Sequence, residues 1–230
     1  MKKTFLALSL VAISASFSQA TLITVTGVFA DPNIPDGVGN LTNQVTVTGL
    51  TGPISGSNVT IRLIGLQHEA AGDLVVIIRH VASGVMETVF SRVGSANPAV
   101  DFGSASQLAT IVGPYEFNAA GPQDLWATAA GLGAVDTIPD SSLFLPFVLP
   151  YRPSQPLTGT PHGFASLATI SDPNGVWEIV ISDGAVDFTG SILGWELEIF
   201  QAEVPEPGTV GLVVGAMAML WLGRRRRGRR

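Results

Sequence analysis

The 230-residue sequence predicts an all-β domain, an antiparallel β-sandwich, between an N-terminal signal peptide and a single apolar C-terminal helix. Three observations lead there. Short runs rich in β-branched and aromatic residues alternate apolar and polar positions with period two. Turn residues separate these runs, with no strand–helix–strand rhythm between them. Long apolar stretches of another kind occur at the two ends.

Residues 1–20 open with Lys2 and Lys3, continue with an apolar segment at 5–13, and end in Ser18-Gln19-Ala20. That is the order of a secretory signal peptide, and the apolar part is too short for a full span. A buried helix is the alternative. The mature chain then begins near Thr21.

The strand runs follow in order: 22–29 (LITVTGVF), 45–48 (VTVT), 59–64 (VTIRLI), 74–78 (LVVII), 177–182 (WEIVIS) and 195–200 (WELEIF). The run at 74–78 is continuous, as expected of a strand covered on both faces. Turns are marked by Asp31-Pro32-Asn33, Gly52-Pro53, Asp172-Pro173-Asn174-Gly175 and Asp183-Gly184. The alanine-rich stretch 119–133 holds one short helix or a loop. Five prolines within 146–161 make that stretch an extended connection. One domain, 21–203, accounts for the whole middle of the chain.

Charge narrows the partners. Between Thr21 and Pro207 four arginines (Arg62, Arg79, Arg92, Arg152) face all eighteen acidic residues, a net charge of −14. Phosphate binding needs a basic face, so nucleic acid is excluded as a partner. There is no cysteine, so an exported domain must rest on its core without disulfides.

Three segments together resemble the P domain (Homo B domain) of proprotein convertases: IRLIGLQHEAAGDLVVII at 61–78, DPNGVWEIVISD at 172–183 and GSILGWELEI at 190–199. The shared pattern is a strand, His68, a turn ending Gly72-Asp73-Leu74, a second strand, then Gly-x-Trp and Gly-x-Leu-x-x-Trp strands. The chain departs from it at 79–84 (RHVASG), where the family has Ser-Pro-x-Gly-Thr, and over 96–150. The resemblance implies a jelly-roll type β-sandwich and no catalysis. In that family the domain accompanies and stabilises a subtilisin-like protease domain.

The residues themselves favour structure over chemistry. Trp177 and Trp195 read as core rings, with an exposed ligand platform as the alternative. Gly72-Asp73 suits a hairpin turn, Asp73 bonding its own backbone. His68, at the end of an apolar strand, reads as a hydrogen-bonded structural histidine before a catalytic or metal-binding one. Acyl transfer finds no cysteine and no Gly-x-Ser-x-Gly elbow, and Ser83 lies in the turn Ala82-Ser83-Gly84. His68, His80 and His162 lack zinc spacing. Glycosidase chemistry needs only two carboxylates and stays open. Calcium is the one cofactor weighed, with Asp172, Asp183 and Asp187 as weak candidates; turn roles for these aspartates come first.

The C-terminus, 204–230, begins Val204-Pro205-Glu206-Pro207. Sixteen apolar residues follow at 208–223, roughly 24 Å as a helix. Arg224, Arg225, Arg226 and Arg227, with Arg229 and Arg230, close it and would stay cytoplasmic. A plain anchor explains the span but not the prolines. The three parts in this order are similar to the PEP-CTERM sorting signal. That resemblance implies a Gram-negative bacterium making exopolysaccharide, and cleavage near Val204–Pro207 by an exosortase. The two prolines keep the segment extended for a protease groove.

The expectation is therefore an exported, non-catalytic surface or extracellular matrix protein. It attaches transiently to the inner membrane and is processed by signal peptidase and exosortase. It binds or coheres in exopolysaccharide or biofilm, or to another surface protein. The alternatives are an accessory module of a secreted subtilisin-like protease and a cryptic secreted hydrolase.

Overall fold

The computed structural model describes residues 20–95, 103, 106–109, 113–132, 136–141, 150–154 and 162–201. Residues 1–19 and 202–230 lie outside the described residues, and with them the signal peptide, Val204, Pro205, Glu206, Pro207 and the arginine cluster. Thr21–Gln201 forms one compact unit.

That unit is all-β, in three sheets that do not close into a barrel. The first, in spatial order, is β1 (Thr21–Val28), β13 (Gly194–Gln201), β4 (Val59–Ile64) and β9 (Tyr115–Asn118). The second is β3 (Leu41–Val47), β11 (Gly175–Asp183), β6 (Leu74–His80) and β7 (Met86–Ser91). A smaller five-stranded sheet orders β10 (Thr137–Ile138), β8 (Gln107–Ala109), β5 (Gln67–His68), β12 (Gly190–Ser191) and β2 (Asn33–Ile34). All pairs are antiparallel except β8 with β10.

The two four-stranded sheets share one core. On β13, period two sends Trp195, Leu197 and Ile199 inward and leaves Glu196 and Glu198 on the other face. Their inward neighbours on β4 are Leu63, Ile61 and Val59, all fully buried. On β1 the residue opposite Trp195 is Gly27, where any Cβ would collide with the indole. Trp195 Nε1 donates to Asn43 Oδ1 at 2.9 Å, and Asn43 Nδ2 donates to the Val28 carbonyl at 3.0 Å, which ties β3 to β1. In the second sheet Trp177, Ile179 and Ile181 face inward from β11. The Trp177 ring lies 5.0 Å from that of His80, its register partner on β6.

Outward faces are charged. Arg62 on β4 sits among three carboxylates: Glu116 at 2.6 Å, Glu198 at 3.0 Å, and Glu196. Burial works against its charge, but the hydrogen bonds to the three glutamates outweigh it and raise its pKa.

Several expectations change in detail. The run at 74–78 is not covered on both faces: Leu74, Val76 and Ile78 are buried, whereas Val75 and Ile77 are half-buried. Among the described residues no further sheet lies over that outer face; Ile77 borders a cavity with Met86. His68 does not end the preceding strand. The buried row on β4 is Val59, Ile61 and Leu63; it then changes phase to Leu66 and His68, because Gly65 takes φ +67° and turns the chain into the small sheet. A short helix, α1 (Leu125–Ala130), does form within 119–133. Asp124 caps it, accepting from the backbone N–H of Trp126 and Ala127. Of the proline-rich stretch, 150–154 is described. Tyr151 there bridges Phe117 and Gln123, and its hydroxyl donates to the Pro139 carbonyl at 2.6 Å.

Candidate functional site

The small sheet and the ends of β6 and β11 enclose a polar cluster in the interior. His68 on β5 and Asp183 at the end of β11 are both sealed from solvent, with Nε2 3.1 Å from Asp183 Oδ2. His68 Nδ1 lies 2.8 Å from the Ala70 carbonyl and 3.1 Å from the Ala70 amide nitrogen. With Nδ1 accepting from the Ala70 N–H, Nε2 carries the proton and donates to Asp183. The second Asp183 oxygen accepts from Ala185 N–H at 3.1 Å.

Asp73 joins this pair from the turn Ala71–Asp73. Its carbonyl accepts from Gly184 N–H at 3.0 Å. Its side chain does not bond its own backbone, contrary to expectation: Oδ2 is buried without a hydrogen-bond partner among the described residues. The turn points the carboxyl inward, toward Asp183. Burial raises its pKa first and Asp183 raises it further, against the opposing pull of His68 and Arg92.

A carboxyl with a raised folded-state pKa favours the folded state when protonated. That advantage is complete below the unfolded value of about 3.9 and is lost as pH rises through the folded value. At neutral pH Asp73 is therefore a cost to the fold. Asp73→Asn is expected to raise the thermal midpoint at pH 7 by roughly 2–4 °C, a gain of about 1 kcal/mol, and to give no gain below about pH 4. Melting curves at both pH values check this.

Over the buried pair lies a cleft of about 390 Å³. Gly190 on β12 forms part of its floor, packed so closely that a Cβ there would strike the His68 ring. Glu69 holds one wall in place: its carboxylate accepts from Thr189 N–H at 2.9 Å and from the Thr189 hydroxyl at 3.4 Å. Gln67 and Gln107 also line the cleft, and their side-chain amides have no hydrogen-bond partner among the described residues. Asn33 lines it too, its amide donating to Asp31 Oδ1 at 2.8 Å.

A second cavity, about 360 Å³, gathers Glu87, His162 and Ser166 beside β7. Sequence spacing gave no hint of this group. His162 Nδ1 is 4.0 Å from Glu87 Oε2, but its Nε2 faces the Thr88 carbonyl at 3.3 Å. Ser166 meets Glu87 through its backbone N–H. In this arrangement the imidazole is not aimed at the serine hydroxyl as a general base must be.

The other candidates are dispersed. His80 bonds Ser83 Oγ at 2.9 Å and the Asn174 carbonyl at 3.1 Å, closing the turn before β7. Asp172 accepts from the backbone and side chain of Asn174, and these bonds lower its pKa. Asp187 has φ +85° and its N–H lies 3.4 Å from Asp36 Oδ2. Asp172, Asp183 and Asp187 thus have separate partners, and no three His, Asp or Glu side chains among the described residues are arranged to hold a metal ion. Trp177 and Trp195 are fully buried.

No protein-family model and no curated protein matches the chain. Among solved structures it is similar to the serine protease of Aeromonas sobria, with 11% identity over 83% of this chain and a TM-score of 0.33. It is similar also to the complex of that protease with its chaperone, with 10% identity over 82% of the chain and a TM-score of 0.37. The chain spans 28% of the length of each matched chain.

Proposed function

We propose that this is an exported, non-catalytic surface or matrix protein that binds or coheres within exopolysaccharide. The observation that carries the reading is the order of parts after the last strand. β13 ends at Gln201, and Val204-Pro205-Glu206-Pro207, the apolar run and Arg224–Arg227 follow directly. Signal peptidase acts at the front and an exosortase-type enzyme at the Pro-Glu-Pro motif. The inner membrane holds the precursor through the apolar helix, and the mature domain ends at the surface or outside the cell. Among the described residues no helix is long and apolar enough to cross a membrane; the apolar run lies beyond them. Two four-stranded sheets around one core suit a jelly-roll sandwich of the P-domain kind.

Mass spectrometry of the mature C-terminus, with cell fractionation, tests the sorting step. A terminus between Val204 and Pro207, recovered outside the cell, is the expected result. An intact arginine tail in the inner membrane would overturn it.

A second reading, an accessory module of a secreted subtilisin-like protease, draws on His68, Asp73 and Asp183. These P-domain-like motif residues meet in one buried cluster. Co-purification of such a protease with the exported protein would favour it.

A further inference from the structure

We infer that the cleft above the His68–Asp183 pair binds an uncharged sugar unit, held by the free amides of Gln67 and Gln107. The inference rests on the matrix reading above and names a site and a ligand chemistry for it.

The cleft has the size of a small-ligand site, at about 390 Å³. Its chemistry is that of a hydroxyl reader. A primary amide offers a donor and an acceptor on one rigid plane, which matches the paired donor and acceptor of adjacent sugar hydroxyls. Gln67 and Gln107 supply two such planes with no competing partner among the described residues. Ser191, on the same wall, adds a hydroxyl. The backbones that carry these groups are held in ladders: Gln67 pairs with Ala109 and Ser191, and Gln107 with Thr137. Little ordering of the main chain is then left to binding.

Charge selects among sugars. Among the described residues Glu69 is the only lining residue that carries a formal charge at its tip in the open cleft, since the His68 side chain is sealed beneath. Among the described residues no arginine or lysine lines the cleft, in a region of net charge −14. Uronate, sulfate and phosphate groups would meet repulsion with no compensating cation. The chain on either side of Thr189–Ser191 carries exposed apolar side chains. Phe188, directly before Thr189, is 40% exposed, and Leu193, two residues beyond Ser191, is 60% exposed. Such side chains suit the C–H face of a pyranose.

The same residues argue for retention over cleavage. Hydrolysis of a glycosidic bond employs two carboxyl groups flanking it. Among the described residues Glu69 is the one carboxylate on the cleft wall, and Asp73 and Asp183 are buried below.

The test is retention of the exported protein, in its natural processed form, on three polymers: a neutral glucan, an N-acetylated glucan and a polyuronate. Binding to one or both uncharged polymers is expected, with little to the polyuronate. Gln67→Ala with Gln107→Ala should weaken binding roughly tenfold or more, with an unchanged thermal midpoint. Phe188→Ala should weaken it less. No binding to either uncharged polymer, preference for the polyuronate, or undiminished binding by the double variant would each overturn the inference. A cleaved C-terminus with no glycan binding would sink this site and leave the sorting reading standing. An intact tail with amide-dependent binding would do the reverse.

Discussion

Trp195→Ala is expected to cost about 3–5 kcal/mol of stability, the largest effect of any single change considered for this domain. The ring is fully buried at the centre of the first sheet, between Leu63 on β4 and Gly27 on β1. Its removal leaves a cavity and strips Asn43 Oδ1 of its 2.9 Å donor. Denaturant unfolding measures the loss. A cost below about 1 kcal/mol would mean that the ring does not fill the core. Trp195→Phe keeps most of the volume but loses the N–H, and should fall between. Gly27 supplies an independent check. Gly27→Ala drives a Cβ into the indole and Asn43, so it should destabilise strongly in the native background. With Trp195 already alanine, part of that obstruction is gone. The two changes together should then cost less than the sum of their separate costs. Val28→Ala, at a position 72% exposed, is the contrasting surface change and should stay within about 0.5 kcal/mol.

Asp183→Ala should cost about 3 kcal/mol, because it breaks a pair sealed from solvent on both sides. Two donors lose their acceptor at once: His68 Nε2–H and Ala185 N–H. Asp183→Asn keeps one carbonyl oxygen to accept from Nε2–H and should cost less. The change also acts on Asp73. Asp183 is the second cause of the raised Asp73 pKa, after burial, so its removal should narrow that shift. The gain from Asp73→Asn at pH 7 should then shrink in the Asp183→Ala background. An undiminished gain would mean that the two carboxyl groups do not interact. Thermal melts of the four proteins at pH 7 supply the comparison.

Much of the architecture was legible before any coordinates. The run at 59–64 is β4 residue for residue, and Trp177 and Trp195 begin the inward rows that period two implies. Asp124 and Gly131 bracket the only α-helix among the described residues, where alanine richness alone left helix and loop undecided. The run at 74–78 misled because β-branching reports fitness for a strand, not the number of layers that cover it. His68 misled because the apolar run carried on past Gly65 through Leu66, while the backbone there turned left-handed and the buried positions changed phase.

The candidate sites were less legible. His68 and Asp183 are 115 residues apart, and Asp73 reaches them only when β6 and β11 pair. Gln67, Gln107 and Ser191 carry no motif at all. Nothing local marks a glutamine whose amide will lack a partner in the folded chain. Glu87, His162 and Ser166 gather for the same reason, through the packing of a turn against β7.

By itself the sequence determined the class of the domain, its acidity, its turns and the apolar stretch at each end. These are local properties: side-chain alternation, turn chemistry, and runs of charge or apolar residues act over a few neighbours. Only the tertiary structure decided which strands are partners, that a glycine stands opposite Trp195, and that a buried aspartate lies beside the His68–Asp183 pair under a cleft with two free amides. Those facts depend on closing loops of tens to more than a hundred residues, and a local pattern does not state which closure wins.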